Sequence, residues 1–416
     1  MDRNNSKYYI TTTTEGCATN LLENSTYREN LNSQGLNETI DPDKADVILV
    51  NTCAYTKDQE KRTSNIIEKI NKTYPNKEVL VAGCYTAINP KGLKKVHAGK
   101  FFGPGDVKAL NHSLGLKTEE ESLIKNANFF DPRDYGDLTY NHKLILKLRP
   151  IFFKIENILK KKFTHMHNLL DSVIINEKYF GITVSQGCAG KCSFCVIKEA
   201  KGSVKSKPVN EIMHEFQTGL NQGYNKFWLL GDDIGCYGID IGADVVELLE
   251  KMISVPVDFR LVINYFEPYF FIKYFDRLKK ILSDERIINL NLPIQSGNHF
   301  VVRRMGREYD PKEVVKKLRE LKKVAPHLVV KNNIIVGFPG ERFTHFLDSI
   351  RASFYYDATL PIRFTSHPGT GAHKHKNHLQ KRIKNLRFYL ISTALLMRHS
   401  YVFIKSITMS LRTPSL

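Results

Sequence analysis

The densest group of reactive side chains is Cys188-Ala-Gly-Lys-Cys192-Ser-Phe-Cys195, a C-x3-C-x2-C spacing directly after a predicted strand. Thiolates packed onto one loop suit a soft metal centre. Four would close a zinc site or a cubane cluster, whereas three leave one iron of a cluster without a protein ligand. That iron can chelate the amine and carboxylate of a methionine moiety. An electron passed into the sulfonium then breaks a C–S bond and makes a carbon radical. The alternative is a structural zinc loop, which needs a distant fourth ligand. Zinc knuckles favour x2 or x4 spacing with a paired second half, and this chain has none.

Three more cysteines, Cys17, Cys53 and Cys84, lie 36 and 31 residues apart. Taken singly, each reads as a small buried hydrophobe. Each, however, falls just past a predicted strand: a Thr-rich strand near Lys7–Thr13, the run from Asp46 to Asn51, and the run from Glu78 to Gly83. Helical stretches at Asn20–Ser33 and Lys57–Asn71 separate these strands. Continuous β-branched runs between helices imply a parallel sheet covered on both faces. Ligands bind at the C-terminal strand edge of such sheets, so the three thiols are expected to meet there as a second centre. Cys236 is left over and reads as a buried bystander.

From Tyr179 the strand–helix rhythm returns, with strands predicted at Phe180–Ser185, Lys226–Leu230, Asp258–Asn264, Ile287–Leu292, Leu328–Val336 and Pro361–Phe364. Each runs into a loop of unusual composition, which suggests a partial barrel with function at its C-terminal mouth. The fold class is α/β: an N-terminal parallel-sheet domain (1–120), a basic linker region (121–175), a partial (β/α)6 barrel (176–390) and a basic tail (391–416). In the linker, Asp131 to Gly136 reads as turn, and Leu144–Leu170 as a basic helical segment broken at Pro150. The tail offers no predicted element.

The formal net charge of +18 favours polyanionic partners, through phosphate neutralisation and counterion release. The excess is uneven, with nine Lys or Arg and no acidic residue from Gly371 onward, and seven against Glu156 alone between His142 and Phe163. A solvated surface is the plainer reading of such runs. The first residues contain no apolar stretch of the secretory kind, and the apolar run Phe388–Met397 is too short to span a bilayer. We therefore expect a cytoplasmic chain, with no membrane role, whose clustered cysteines bind metal rather than pair.

The cysteine loop, with an aromatic residue before its last cysteine, resembles the signature of radical S-adenosylmethionine (SAM) enzymes. The runs "EGCATN", "VNTCAYT" and "VAGC" resemble the N-terminal cluster domain of the methylthiotransferases. "SQGCAGKCSFCVIKEAKG", "WLLGDDIGCYGIDIG", "LPIQSGN", "RRMGREY" and "IIVGFPGE" resemble that family's radical SAM core, in order. The "DDIGCYGIDIG" stretch is most similar to the archaeal and eukaryotic branch, which acts on threonylcarbamoyladenosine of tRNA beside the anticodon. The similarity extends over about residues 7 to 390.

This resemblance implies two 4Fe-4S clusters and SAM as cofactors, with the tRNA anticodon loop and an electron donor as partners, and no role for DNA. It implies that Cys188, Cys192 and Cys195 hold the catalytic cluster, with Phe194 near the adenine, and that Cys17, Cys53 and Cys84 hold the auxiliary one. Gly231, Asp232 and Asp233 fall where the family binds the SAM methionine group, although an Asp pair at a strand end is also a common turn or cap. Gln295, Ser296 and Gly337 occupy matching mouth loops. Asn291 and Asn333 depart from the family's usual His and Asp, and no C-terminal RNA-binding barrel is recognisable after about 390. The implied activity is addition of a methylthio group to C2 of the adenine. Methylthiolation of a ribosomal protein, or a non-catalytic iron–sulfur protein that binds RNA, remain as alternatives. Two further features stay open: Arg303, Arg304 and Arg307 as surface charges or phosphate contacts, and the His373–His378 cluster as a solvated loop, a phosphate contact or a metal site.

Overall fold

The computed structural model describes residues 5–13, 17–117, 127–135 and 178–412. The expected helix broken at Pro150 and the basic run from His142 lie outside the described residues. The chain divides into two compact units, Met1–Ala189 with Val196–Asn264, and Gly190–Cys195 with Tyr265–Leu416.

The first unit opens with a four-stranded sheet of β1 (Lys7–Thr12), β2 (Asn37–Glu38), β3 (Val47–Thr52) and β4 (Glu78–Gly83), in the order β2-β1-β3-β4. The pairings of β1 with β2 and β3, and of β3 with β4, are parallel. Successive side chains of a strand face opposite ways, and both faces here are apolar. Val47, Leu49, Leu80 and Ala82 pack with Tyr27 and Leu31 of α1 (Ala18–Ser33). Ile48, Val50, Val79 and Val81 pack with Ile67 of α2 (Lys57–Thr73) and with Leu93. All six residues of β3 are buried, which is why the run from Val47 reads as continuous rather than alternating.

Three short helices follow β4 in the chain, α3 (Cys84–Ile88), α4 (Pro90–Val96) and α5 (Val107–Leu114). The same unit contains β5 (Phe180–Thr183), β6 (Ser185–Gln186), α6 (Ile197–Lys201), β7 (Lys205–Ser206), α7 (Val209–Asn221), β8 (Lys226–Leu230), α8 (Val245–Ser254) and β9 (Arg260–Ile263). β8 pairs in parallel with β5 and with β9. β6 and β7 pair antiparallel, so residues 185–186 and 205–206 clamp the base of the segment that begins at Cys188 and ends at Lys201. Residues 127–135 dock on α1: Ala127 N–H donates to Thr26 Oγ1 at 2.9 Å, and Pro132–Tyr135 forms the expected turn as one 3-10 helix.

The second unit continues the alternation with α9 (Pro268–Lys273), α10 (Phe275–Leu282), β10 (Ile287–Asn291), α11 (His299–Arg304), α12 (Pro311–Val324), β11 (Val329–Val336), α13 (Phe343–Ser353) and β12 (Ala358–Arg363). β11 pairs in parallel with β10 and β12. Strand β12 starts three residues earlier than predicted and carries Pro361, tolerated because it lies at an edge. The tail without a predicted element belongs to α14 (Lys381–Arg412), a stretch with no Gly or Pro to interrupt it. The six strands β5 and β8–β12 with their helices are a partial (β/α)6 barrel of radical SAM type.

Candidate active site

Thr13 follows β1, and its backbone N–H donates to Asn51 O at 2.9 Å. Its hydroxyl accepts from the backbone N–H of Cys53 at 3.0 Å, while Thr63 Oγ1 donates to Cys53 O at 2.7 Å. Cys17 caps α1 in an extended conformation. Below it, Asn20 Nδ2 donates to Asn51 Oδ1, and Asn51 Nδ2 to Asn24 Oδ1, both at 2.8 Å and buried. Cys84 opens α3 immediately after Gly83, whose φ of 94° is one that only glycine adopts easily. Cys17 is exposed and the other two are half-buried. They lie within electrostatic reach of one another: burial pushes the Cys84 thiol well up, Lys201 opposes it, and Cys53 and Cys17 add to the rise.

Two residues beside these thiols were not foreseen. Lys201 ends α6, with its side chain 4% exposed and its ammonium 3.5 Å from Glu23 Oε1 and 3.5 Å from Asp232 Oδ1. Burial alone would depress the ammonium, yet Asp232, Glu23, Cys84 and Cys17 together hold it well above the ordinary lysine value. Glu23 is pushed up by burial against the pull of Lys201, and its Oε2 is buried without a partner. The only sequence signal for either lies in their neighbours: Lys201 precedes Gly202 six residues after Cys195, and Glu23 lies six residues after Cys17.

Cys188 lies in the first unit, where its N–H donates to Gly202 O at 3.4 Å. Gly187 before it has a φ of 77° and donates its N–H to Asp232 Oδ2 at 2.8 Å. Asp232 therefore has one oxygen on the loop backbone and the other toward Lys201. Asp233 accepts from Gly235 N–H at 2.9 Å and caps the following turn. Cys236 is buried, its thiol donating to Asp233 O at 3.2 Å. Its sulfur, the Cys188 sulfur and an Asp233 carboxylate oxygen all lie within 4.8 Å of one another. Gly231 packs against Ser185, whose buried hydroxyl has no partner.

In the second unit, Cys195 N–H donates to Cys192 O at 3.2 Å, and Ser193 N–H to Met305 O at 2.8 Å. Phe194 lies edge-on to Phe338 and under the Arg307 guanidinium, 5.9 Å from its ring centre. The Arg307 side chain is 10% exposed, with Nη1 near Glu267 Oε1 at 3.3 Å and Pro293 O at 3.2 Å. Burial disfavours its charge, but Cys192, Tyr309 and Glu267 raise it. Of the three arginines in that stretch, Arg307 thus serves an internal role. Gln295 has a φ of 59°, and its buried Oε1 has no partner. Ser296 Oγ lies 3.2 Å from Ser349 Oγ, and Gly337 N–H donates to Glu341 Oε2 at 2.7 Å. Asn291 ends β10, its carbonyl accepting from Phe266 N–H at 2.8 Å, and Asn333 lies on β11 with its carbonyl accepting from Gln295 N–H at 2.9 Å. His373 Nδ1 lies 2.8 Å from Ser366 Oγ.

The donor chemistry fits iron–sulfur centres. One loop carries three thiols with C-x3-C-x2-C spacing, three strand ends bring a second trio together, and buried polar atoms beside both remain unpartnered. With its barrel, this defines a radical SAM enzyme. Residues 182–352 match the "Radical SAM superfamily" and residues 7–102 the "Uncharacterized protein family UPF0004". The chain is 28% identical over 364 residues to a "Probable threonylcarbamoyladenosine tRNA methylthiotransferase" of Pyrococcus abyssi, covering 87% of this chain and 78% of that one. It is 27% identical over 391 residues to a "Ribosomal protein uS12 methylthiotransferase RimO" of Carboxydothermus hydrogenoformans, covering 92% and 80%. Among solved structures, the radical SAM methyltransferase TsrM of Kitasatospora setae shares the fold, with a TM-score of 0.56 at 13% identity over 88% of this chain and 77% of that one. By these two stretches and these relatives the chain is similar to the radical SAM methylthiotransferases, and it is an enzyme of the class that transfers methylthio groups. Members of the family use SAM and two 4Fe-4S clusters. Among the described residues no helix is long and apolar enough to cross a membrane.

Proposed function

We propose that this enzyme adds a methylthio group to C2 of threonylcarbamoyladenosine next to the anticodon of tRNA, in the cytoplasm and with an external electron donor. The observation that carries the reading is the meeting of Cys17, Cys53 and Cys84 at one sheet edge, joined to the C-x3-C-x2-C loop by the Lys201–Asp232 contact. Cys188, Cys192 and Cys195 would hold one cluster, and Cys17, Cys53 and Cys84 the other. When bound, the clusters and SAM supply hydrogen removal from carbon, and the sulfur and methyl to be transferred. The protein's part is to position and to exclude water. Gly187 and the β6–β7 clamp fix the loop carrying Cys188, and Asp232 holds that loop's backbone. Phe194, braced by Phe338 and Arg307, offers an aromatic edge for an adenine. The unpartnered Gln295 Oε1 offers an acceptor to a bound cofactor. An anticodon-loop base is already accessible and needs little unstacking.

Mass spectrometry of nucleosides from tRNA of cells with and without the gene tests this reading. Loss of the methylthio mass from threonylcarbamoyladenosine supports it, and an unchanged nucleoside profile sinks it. The similarity to the ribosomal-protein enzyme favours a second reading, methylthiolation of a protein side chain. In that case the lost mass appears in the ribosomal protein and the tRNA profile stays unchanged.

A further inference from the structure

Strands β10, β11 and β12 of the second unit share a face with one charge on it. Register fixes its members: Asn291 lies opposite Lys331, Lys331 opposite Ala358, and Asn333 opposite Leu360. Alternate residues of a strand point the same way, so Asn289 and Ile335 belong to this face as well. Its other members are apolar, and Lys331 is its only charged side chain. The opposite face is the one covered by helices. α13 packs on β11 and α14 on β12, and the Arg363 guanidinium lies 4.9 Å from the ring centre of Phe388 on α14. The face with Lys331 is therefore the one that a (β/α) barrel turns inward. Toward the C-terminal end of β11, Ile335 packs in one cluster with Phe194 of the cysteine loop.

The surroundings of Lys331 suit a charged visitor. Burial lowers its ammonium to about 8. Asn289, Asn291 and Asn333 share its face and supply hydrogen-bonding groups without a counter-charge. Asn333 stands two residues along the same strand face, where the family's usual Asp would neutralise a nearby lysine. The face is also open at its edge, since Leu360 is 60% exposed. Lysine places a compact charge on a flexible stem, which suits a single carboxylate that arrives and leaves.

We propose that Lys331 binds the carboxylate of the threonylcarbamoyl group and so selects an anionic adenosine as substrate. This rests on the function proposed above and adds the residue that tells its substrate from a neutral one. Threonylcarbamoyladenosine keeps the free carboxylate of threonine. Adenosine itself, or adenosine with a hydrocarbon on the same nitrogen, has none. An ammonium–carboxylate contact away from water is a charge-assisted hydrogen bond. A neutral group in its place leaves the buried ammonium uncompensated, and that cost is the source of discrimination. The carboxamides of Asn291 and Asn333 are donors and acceptors for the hydroxyl and carbamoyl of the same group.

The test is the binding of three anticodon stem–loop RNAs to anaerobically reconstituted full-length protein, read by fluorescence anisotropy. One RNA carries threonylcarbamoyladenosine, one its methyl ester, and one plain adenosine. The parent protein is expected to bind the free acid about tenfold more tightly than the ester, the scale of one hydrogen bond to a charged group. Lys331→Met is expected to bring acid and ester within about twofold of each other, with affinity for the ester unchanged, because only the ammonium contact is removed. Lys331→Arg keeps the charge and should retain most of the preference. The ester also controls for folding, since a misfolded variant loses both RNAs, and the acid-to-ester ratio of the parent protein needs no variant. A parent protein that binds acid and ester alike overturns the inference, and so does a Lys331→Met ratio equal to the parent's. A parent protein that binds the plain-adenosine RNA as tightly as either threonylcarbamoyl RNA sinks the substrate reading itself, and that arm tells the two failures apart.

Discussion

Arg28 donates two parallel hydrogen bonds to Asp134, at 2.8 and 2.7 Å, and a third from Nε to Glu38 at 2.7 Å, with a side chain 4% exposed. A planar, permanently charged fork suits this arrangement, whereas lysine has no pair of parallel N–H donors to match a carboxylate. Replacing Arg28 with Met leaves buried carboxylates uncompensated. It is expected to cost ~3–5 kcal/mol in chemical denaturation, because breaking one side of a buried pair is worse than removing both. Nearby Asp131 gives the pH dependence. Burial would raise its carboxyl, but hydrogen bonds from Arg133 and the charge of Arg28 hold it below the ordinary range. A depressed folded value stabilises above the unfolded pKa, about 3.9, and that contribution disappears as pH falls through the folded value. The stability gap between the parent protein and Asp131→Asn should therefore be full near neutrality and shrink below about pH 4, read from urea midpoints at each pH.

At the scale of elements, the turn from β4 into α3 decides where Cys84 points. A Cβ on Gly83 would overlap Asn51 Oδ1 and the Thr52 carbonyl, and its φ of 94° is strained for any other residue. Gly83→Ala should destabilise the protein by about 1–3 kcal/mol and lower its iron content, since the turn cannot relax without moving Cys84. In the second unit, α14 is tied to the loop after β11 by the buried Arg387–Glu341 pair, with Arg387 also over the Phe346 ring at 5.6 Å. Glu341 is pushed up by burial against the pull of Arg387, and its Oε2 also receives Gly337 N–H. Arg387→Met should loosen α14, seen as faster amide exchange from Lys381 onward. Adding Glu341→Gln should restore part of the loss, because the uncompensated charge goes with it.

For the whole molecule, two bulk measurements bear on the reading. Replacing Cys17, Cys53 and Cys84 together with Ala should lower iron and sulfide by about half in anaerobically purified protein, since one of the two proposed cysteine trios is removed while the loop trio stays. A net charge of +18 should make tRNA affinity fall steeply between about 50 and 200 mM salt, by counterion release. A flat salt profile would count against phosphate contacts as the source of affinity.

Much of this was legible along the chain. The strands ending beside Cys53 and Cys84 follow their continuous β-branched runs, and Glu78–Gly83 and Lys226–Leu230 have the predicted bounds. The spacing of Cys188, Cys192 and Cys195 is covalent, so no folding step is needed to bring them near one another. The parallel sheet also forces the ends of β1, β3 and β4 to one edge, and this makes the second trio readable. Lys201 and Glu23 carry no such mark, because one ends α6 and the other lies on α1, and no local pattern encodes how those two helices are brought together. The same holds for the approach of Cys236 to Cys188, and for Arg307 over the Phe194 ring. Periodicity and spacing report which residues share an element or an edge. Which buried charges face each other across elements is decided by the packing of side chains distant in sequence, where desolvation makes each unpartnered charge costly and so selects its partner.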